Sequence, residues 1–313
     1  PGGAVIYKFS EVNKVMKLGM IMPCEAKSFD EAKELGLDFV EFDLNHPNYW
    51  GVNMDSIMPR ANEISEAVKR TGVEVGAVGR WGSQVVADDG SIIEKELDEI
   101  KKAIDFAAAV GAPNYLVSCN YAKDITYYKN LTVAIEVLNK VVEHANKYGI
   151  TVSIVNCMMG GNYIRTPEQW KIVLDEVPGL KIKYDPSHSF VHGGDKGAYM
   201  EEGMLWGKHF GYIHIKGVIQ YGDSDEVDSW HRFELIRKHP ELKDVLTQSF
   251  VHDNYDNPPA GLDSINWRAF FGILYKFGFD GYCSIEPHSP SWTGEKGDWG
   301  VKYTIKYIRD LMM

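Results

Sequence analysis

The stretch LKIKYD at 180–185 decides the fold when it is read with GYIHIK at 211–216 and GYCSIE at 281–286. Each is a short apolar run, often introduced by glycine, and each reads as a buried strand. At or near their C-terminal ends stand Asp185, His214 and Glu286. A carboxylate at the tip of a parallel strand does nothing for a core. In a closed (β/α)₈ barrel that tip is where catalytic and metal-binding side chains sit. Alternation sorts the faces: Tyr282, Ser284 and Glu286 share one side of their run, and Cys283 and Ile285 share the other. Tyr212, His214 and Lys216 likewise oppose Ile213 and Ile215. The apolar set would pack on helices and the polar set would point into the barrel mouth.

Working outward, strands are expected at 18–22, 38–43, 73–80, 113–119 and 150–156, besides the three above. Longer segments of helical periodicity lie between them. Ile93, Leu97, Ile100, Ile104, Phe106 and Ala107 mark one apolar face; Val133, Ile135, Leu138, Val141 and Val142 mark another. Glycine stop signals precede strands at Gly36, Gly72, Gly111, Gly149 and Gly278. Eight strand–helix alternations without a linker predict one α/β domain over 1–313, a (β/α)₈ TIM barrel. A doubly wound open sheet is the structural alternative, and the lack of GxGxxG after the first strand counts against its dinucleotide-binding version. The rhythm breaks once, after strand seven. The segment 218–259, with Trp230, His231, His239, His252 and Pro258-Pro259, reads as a long insertion at the active-site face, a lid or a partner-binding surface.

Composition narrows the function classes. The 313 residues are 44% hydrophobic and 25% charged, with a net charge of −11. That balance argues against nucleic acid or an anionic membrane as the partner. There is no apolar run near the length of a membrane span and no signal-peptide pattern. Four scattered cysteines without a CxxC pair fit reduced thiols. A cytoplasmic protein is the expectation.

Asp185, His214 and Glu286 make a plausible ligand set for a catalytic divalent metal. Taken singly, Asp185 also reads as a helix N-cap before Pro186-Ser187, and His214 as a core histidine. His188, three residues past Asp185, is placed to bind substrate or move a proton. Lys216 is placed to stabilise an oxyanion or to pair with a carboxylate. Glu41, Asp43, Arg80 and His192 also fall near strand ends, where Asp43 and Arg80 read equally well as surface loop charges. Trp81, Trp292 and Trp299 would serve as a sugar-stacking wall or as core.

These motifs resemble the xylose-isomerase-like TIM barrels, the sugar phosphate isomerase/epimerase superfamily. The stretches that carry the resemblance are YDPSHSFVHGG at 184–194, YIHIKG at 212–217 and the closing run from GLDSINW at 261–267 to GYCSIEPH at 281–288. Asn156-Cys157 followed by TPEQW at 166–170 adds to it. The family implies a metal held by four strand ends: Glu, Asp, His and Glu on strands five to eight. Three of these carry over onto Asp185, His214 and Glu286. The fourth does not, because Val155 stands where the family has its strand-five glutamate.

The resemblance implies proton abstraction next to the carbonyl of a keto-sugar, cyclitol or related polyol, by a metal-dependent isomerase, epimerase or lyase. Glu286, His188 and Lys216 would be catalytic, and Asn156, His188, Lys216 and Trp292 would bind substrate. Mn²⁺ or Mg²⁺ is the expected cofactor, with Zn²⁺ or Co²⁺ compatible with the same ligands. With Val155 in place, a symmetrical two-glutamate epimerisation is disfavoured, whereas one-base isomerisation or elimination, as in inosose dehydratases, stays open. Two alternatives stand beside this reading: the large subunit of a C-glycoside deglycosidase, working with a small partner subunit, and a non-catalytic sugar-binding relative with a degraded metal site. The expected partners are a carbohydrate and other copies of the chain. The family's endonuclease branch needs more metal ligands and a basic DNA face, which the net charge of −11 opposes.

Overall fold

The computed structural model describes residues 16–44, 53–80, 82–157, 161–192, 197–220, 255–289 and 291–312. The eight barrel strands are β1 (Lys17–Ile21), β2 (Phe39–Asp43), β3 (Glu74–Arg80), β4 (Asn114–Val117), β5 (Thr151–Val155), β6 (Lys181–Tyr184), β7 (Phe210–Ile215) and β10 (Tyr282–Ile285). All pair in parallel, and β10 closes the barrel by pairing with both β7 and β1. Each expected strand forms, with its ends shifted by at most two residues. Asp185, Lys216 and Glu286 fall just beyond the strands, because there the backbone leaves the ladder to open the mouth.

The helices follow in alternation: α1 (Lys27–Glu34), α2 (Met54–Ile57), α3 (Ala61–Thr71), α4 (Glu94–Ala109), α5 (Tyr127–Asn146), α6 (Pro167–Glu176), α7 (Pro186–His192), α8 (Ala198–Trp206), α9 (Trp267–Lys276) and α10 (Gly294–Arg309). Local sequence fixes their ends. At α6, Thr166 and Gln169 form a capping box with Pro167 in the first turn. Thr126 caps α5 and Asn266 caps α9. Gly36, Gly72, Gly111, Gly149 and Gly278 all take positive φ, as expected of residues that end a helix and turn the chain toward the next strand.

Two apolar regions result. The large one lies between strands and helices and holds Ile213, Ile215, Cys283 and Ile285, together with Leu97, Ile100 and Ile104 of α4 and Val137, Leu138 and Val141 of α5. The small one fills the barrel: Phe39, Ala77, Leu116, Val155, Cys157 and Tyr212. Phe39 packs edge-on against Tyr212 and Tyr282, whose rings stack in parallel. Its ring occupies the space that side chains at positions 19 and 76 would take; a Cβ on either glycine would fall inside it. Gly76 is the extra residue of a bulge, since Val40 pairs with Val75 and Glu41 with Ala77.

Of the expected insertion, residues 221–254, with Trp230, His231, His239 and His252, lie outside the described residues, as does Trp81. The two ends of the insertion are described. They pair as an antiparallel ribbon, β8 (Ile219–Gln220) with β9 (Tyr255–Asp256). The chain beyond is pinned by Asp263, whose carboxylate accepts hydrogen bonds from the backbone N–H groups of Val218, Gly261 and Ile265 and from Trp267 Nε1.

Candidate active site and metal centre

Strand alternation places the polar side chains. On β2, Phe39, Glu41 and Asp43 face inward while Val40 and Phe42 join the outer core. On β7, Tyr212, His214 and Lys216 face inward in the same way. A second bulge, with Gly211 unmatched between Ile182–Phe210 and Lys183–Tyr212, sets that register. Above the Phe39–Tyr212 layer the barrel therefore turns from apolar to charged.

Asp185, His214 and Glu286 meet at this level, each offering a ligand atom within 4.8 Å of the others. His214 is fully buried between two carboxylates. Its Nδ1 lies 2.7 Å from Glu286 Oε2, and its Nε2 lies 2.9 and 3.0 Å from the two oxygens of Glu41. Burial disfavours the imidazolium, but the Glu41 charge and the hydrogen bonds to Glu286 and Glu41 together hold the His214 pKa above the ordinary value. Both ring nitrogens thus stand within hydrogen-bond distance of carboxylate oxygens. Tyr212 donates a further hydrogen bond to Glu41 Oε2 at 2.9 Å.

Glu286 also receives Lys216 Nζ at 2.7 Å and His288 Nδ1 at 3.1 Å on Oε1. Burial raises its pKa, yet Lys216, His214 and His288 together hold it well below the usual carboxylate range. Lys216 is held high in turn: burial works against its charge, and Glu286 and Asp185 more than reverse that. Asp185 differs. Burial keeps its carboxyl above the ordinary value, with Lys183 opposing. Its Oδ2 has no hydrogen-bond partner, and His188 Nε2 stands 3.5 Å away.

The donor set fits a divalent cation. An orphaned buried carboxylate oxygen, an imidazole nitrogen and a second carboxylate converge, and the far imidazole nitrogen is already anchored by a carboxylate, the usual support for a metal-ligating histidine. Among the described residues this is the one such cluster of three ligand groups.

Asn156 uses its side chain on Asp185. Its Nδ2 donates to Asp185 O and its Oδ1 accepts from Asp185 N, both at 2.9 Å. Trp292 and Glu286 line one cavity of about 320 Å³, with Gly217, Pro258 and Pro287. Trp299, 52% exposed, stacks on Trp292 at 6.1 Å, so neither ring is buried core. His192 closes α7, and its side chain lies outside the described residues. Arg80 is no surface charge: it is fully buried, with Nε 2.9 Å from Glu96 Oε1 and Nη1 donating to Leu44 O at 3.2 Å. Val155 lies in the inner apolar patch, paired in register with Lys183. Glu41, the histidine's anchor, had only its position near a strand end to mark it in the sequence.

Solved structures share this architecture. A D-allulose 3-epimerase from Methylomonas sp. superposes with a TM-score of 0.64 at 15% identity, over 95% of this chain and 98% of that one. A D-psicose 3-epimerase from Clostridium cellulolyticum H10, solved with D-tagatose, gives a TM-score of 0.68 at 14% identity, over 95% and 99%. A xylose isomerase domain protein from Planctomyces limnophilus gives 0.66 at 13%, over 96% and 98%. At such identities the likeness carries the fold. No curated protein matches the chain significantly. The model of the xylose isomerase-like TIM barrel matches residues 29–311. With the closed barrel and the acidic, histidine-bearing mouth at the strand ends, that match makes the chain a member of the xylose isomerase-like TIM barrel family.

Proposed function

We propose that the chain is a metal-dependent sugar isomerase or epimerase-like enzyme that moves a proton next to the carbonyl of a keto-sugar or related polyol. The observation that carries this reading is the convergence of Asp185, His214 and Glu286 in the mouth of the barrel. Those three residues would hold the cation, Mn²⁺ or Mg²⁺ by the hardness of the donors. A divalent cation there supplies charge stabilisation to a carbonyl oxygen as the neighbouring proton leaves.

The chain's own residues do the rest. Glu41 fixes the His214 ring by holding Nε2–H, which aims Nδ1 at the other two ligands. Asn156 clamps the Asp185 backbone on both sides of its strand end and so fixes the carboxylate. Glu286 stays ionised at neutral pH and is the base, with His188 placed beside Asp185 to carry a proton. Lys216 keeps its charge and donates to developing negative charge on the substrate oxygen. Trp292 offers an aromatic wall in the cavity that Glu286 also lines. With Val155 on β5, no second glutamate faces Glu286 from that strand, which favours one-base chemistry: isomerisation, or elimination where a β-leaving group is present.

Val155 also favours a second reading, a sugar-binding relative without turnover. One experiment separates them. The Mn²⁺-loaded protein is held with D-allulose, D-tagatose and D-fructose in D₂O, and exchange of the proton next to the carbonyl is followed by NMR. Exchange that requires metal and disappears in Glu286→Gln supports the enzyme. Stoichiometric metal and bound ketose without exchange would establish the binding-only relative.

A further inference from the structure

Two carboxylate oxygens in the barrel mouth are buried without a hydrogen-bond partner, Asp185 Oδ2 and Asp43 Oδ1. The first belongs to the ligand triad. The second does not, since Asp43 lies outside that cluster. Asp43 follows Phe39 and Glu41 on the inward face of β2, and β2 stands across the barrel from β6, which leads into Asp185. Its register partner on β3 is Gly79, which puts no side chain beside it. The next residue is locked: Leu44 N donates to Gly79 O at 2.6 Å, and Leu44 O accepts from the buried Arg80. The side chain is thus held on the inner wall. The charged groups around it are Glu41 and Glu286, which repel it, and His214 and Lys183, which attract it. Burial and the two neighbouring carboxylates push its carboxyl well above the ordinary range.

A buried acceptor without a donor is a cost that the fold alone does not repay. A donor on a ligand in the mouth would satisfy it. We propose that Asp43 is a substrate-binding residue whose Oδ1 accepts a hydrogen bond from a hydroxyl of the sugar chain, on the β2 wall across the barrel from Asp185. A polyhydroxy ketose spanning the mouth, carbonyl end at the triad, presents such a hydroxyl. This proposal rests on the ketose reading above. It makes Asp43 a determinant of specificity, because a substrate lacking that hydroxyl leaves the buried acceptor unpaired.

The test is calorimetric binding of D-allulose, D-tagatose and D-fructose, and of their monodeoxy analogues, to the Mn²⁺-loaded protein. Wild type is compared with Asp43→Leu, close in shape but without an acceptor, and with Asp43→Ala. One monodeoxy analogue is expected to bind wild type at least tenfold more weakly than its parent ketose, and both variants are expected to lose that discrimination. Mn²⁺ affinity should stay within about twofold, and the Tm of the metal-free protein should be unchanged or higher, since an unpaired buried oxygen is removed. Parent ketose bound by the variants as tightly as by wild type overturns the proposal. So does discrimination that persists in them, or a fall in Tm and metal affinity together, which would mark Asp43 as structural. Wild type that binds none of the ketoses overturns the ketose reading itself, a result visible before any variant is made.

Discussion

Glu41 and His214 lie 173 residues apart in sequence, yet the Glu41 carboxylate meets His214 Nε2 at 2.9 and 3.0 Å inside the barrel. Both groups are fully buried. The pair favours the charged form of the imidazole and holds Nε2, while Nδ1 points to Glu286, one of the other two candidate ligands. Removing the anion removes the main force that favours the charged ring. In Glu41→Gln, His214 is therefore expected to titrate at a lower pH than in wild type, measured by NMR on the metal-free protein. Metal affinity should fall by roughly 10–100-fold, as for other lost partners of metal-ligating histidines. A His214 titration that does not move would sink this account.

Glu286 joins His214, Lys216 and His288. Glu286→Gln keeps the shape and removes the charge that compensates the buried Lys216. Breaking a buried pair from one side costs about 3–5 kcal/mol. Thermal or denaturant unfolding of the metal-free variant should show a loss of that order, and metal analysis after dialysis should show the cation lost.

Asn156 tests positioning apart from ligation. Asn156→Ala strips two hydrogen bonds from the Asp185 backbone and leaves buried groups unpaired, at about 1–3 kcal/mol each. Lower stability together with weaker metal binding is the expected pairing. Weaker ketose binding at unchanged metal affinity would instead make Asn156 a substrate contact.

Arg80→Met separates the rim from the site. The guanidinium pairs with Glu96 and holds Leu44 O, one residue beyond Asp43. Its removal takes the guanidinium from the buried Glu96 carboxylate, with a loss of about 3–5 kcal/mol expected on chemical unfolding.

The floor of the barrel should respond to added volume. Gly19→Ala and Gly76→Ala each place a methyl inside the Phe39 ring. Overpacking of this kind costs about 1–3 kcal/mol. Pairing either with Phe39→Leu should recover part of the loss in a double-mutant cycle, and strict additivity would mean that the ring is not the obstacle.

The barrel and three residues of its mouth were legible in the linear sequence. Eight short apolar runs and the glycine helix stops are local signals, and local backbone chemistry is enough to read them. Asp185, His214 and Glu286 were legible because strand alternation sends polar residues inward at a strand's end. Other features were decided only by closure of the barrel. Glu41 became the anchor of His214 because β2 and β7 face one another across the interior, a relation with no trace in linear spacing. Arg80 looked like a loop charge and is a buried ion pair, since its partner Glu96 lies on the helix that follows. Asn156 clamps the Asp185 backbone because β5 and β6 are neighbours in register, a pairing that linear spacing does not show. Asp43, ambiguous in the sequence, shares the inward face of β2 with Phe39 and Glu41, and closure of the barrel brings it near Glu286, His214 and Lys183. Residue types and periods are properties of a segment; which charges compensate one another depends on distances that only the closed sheet sets.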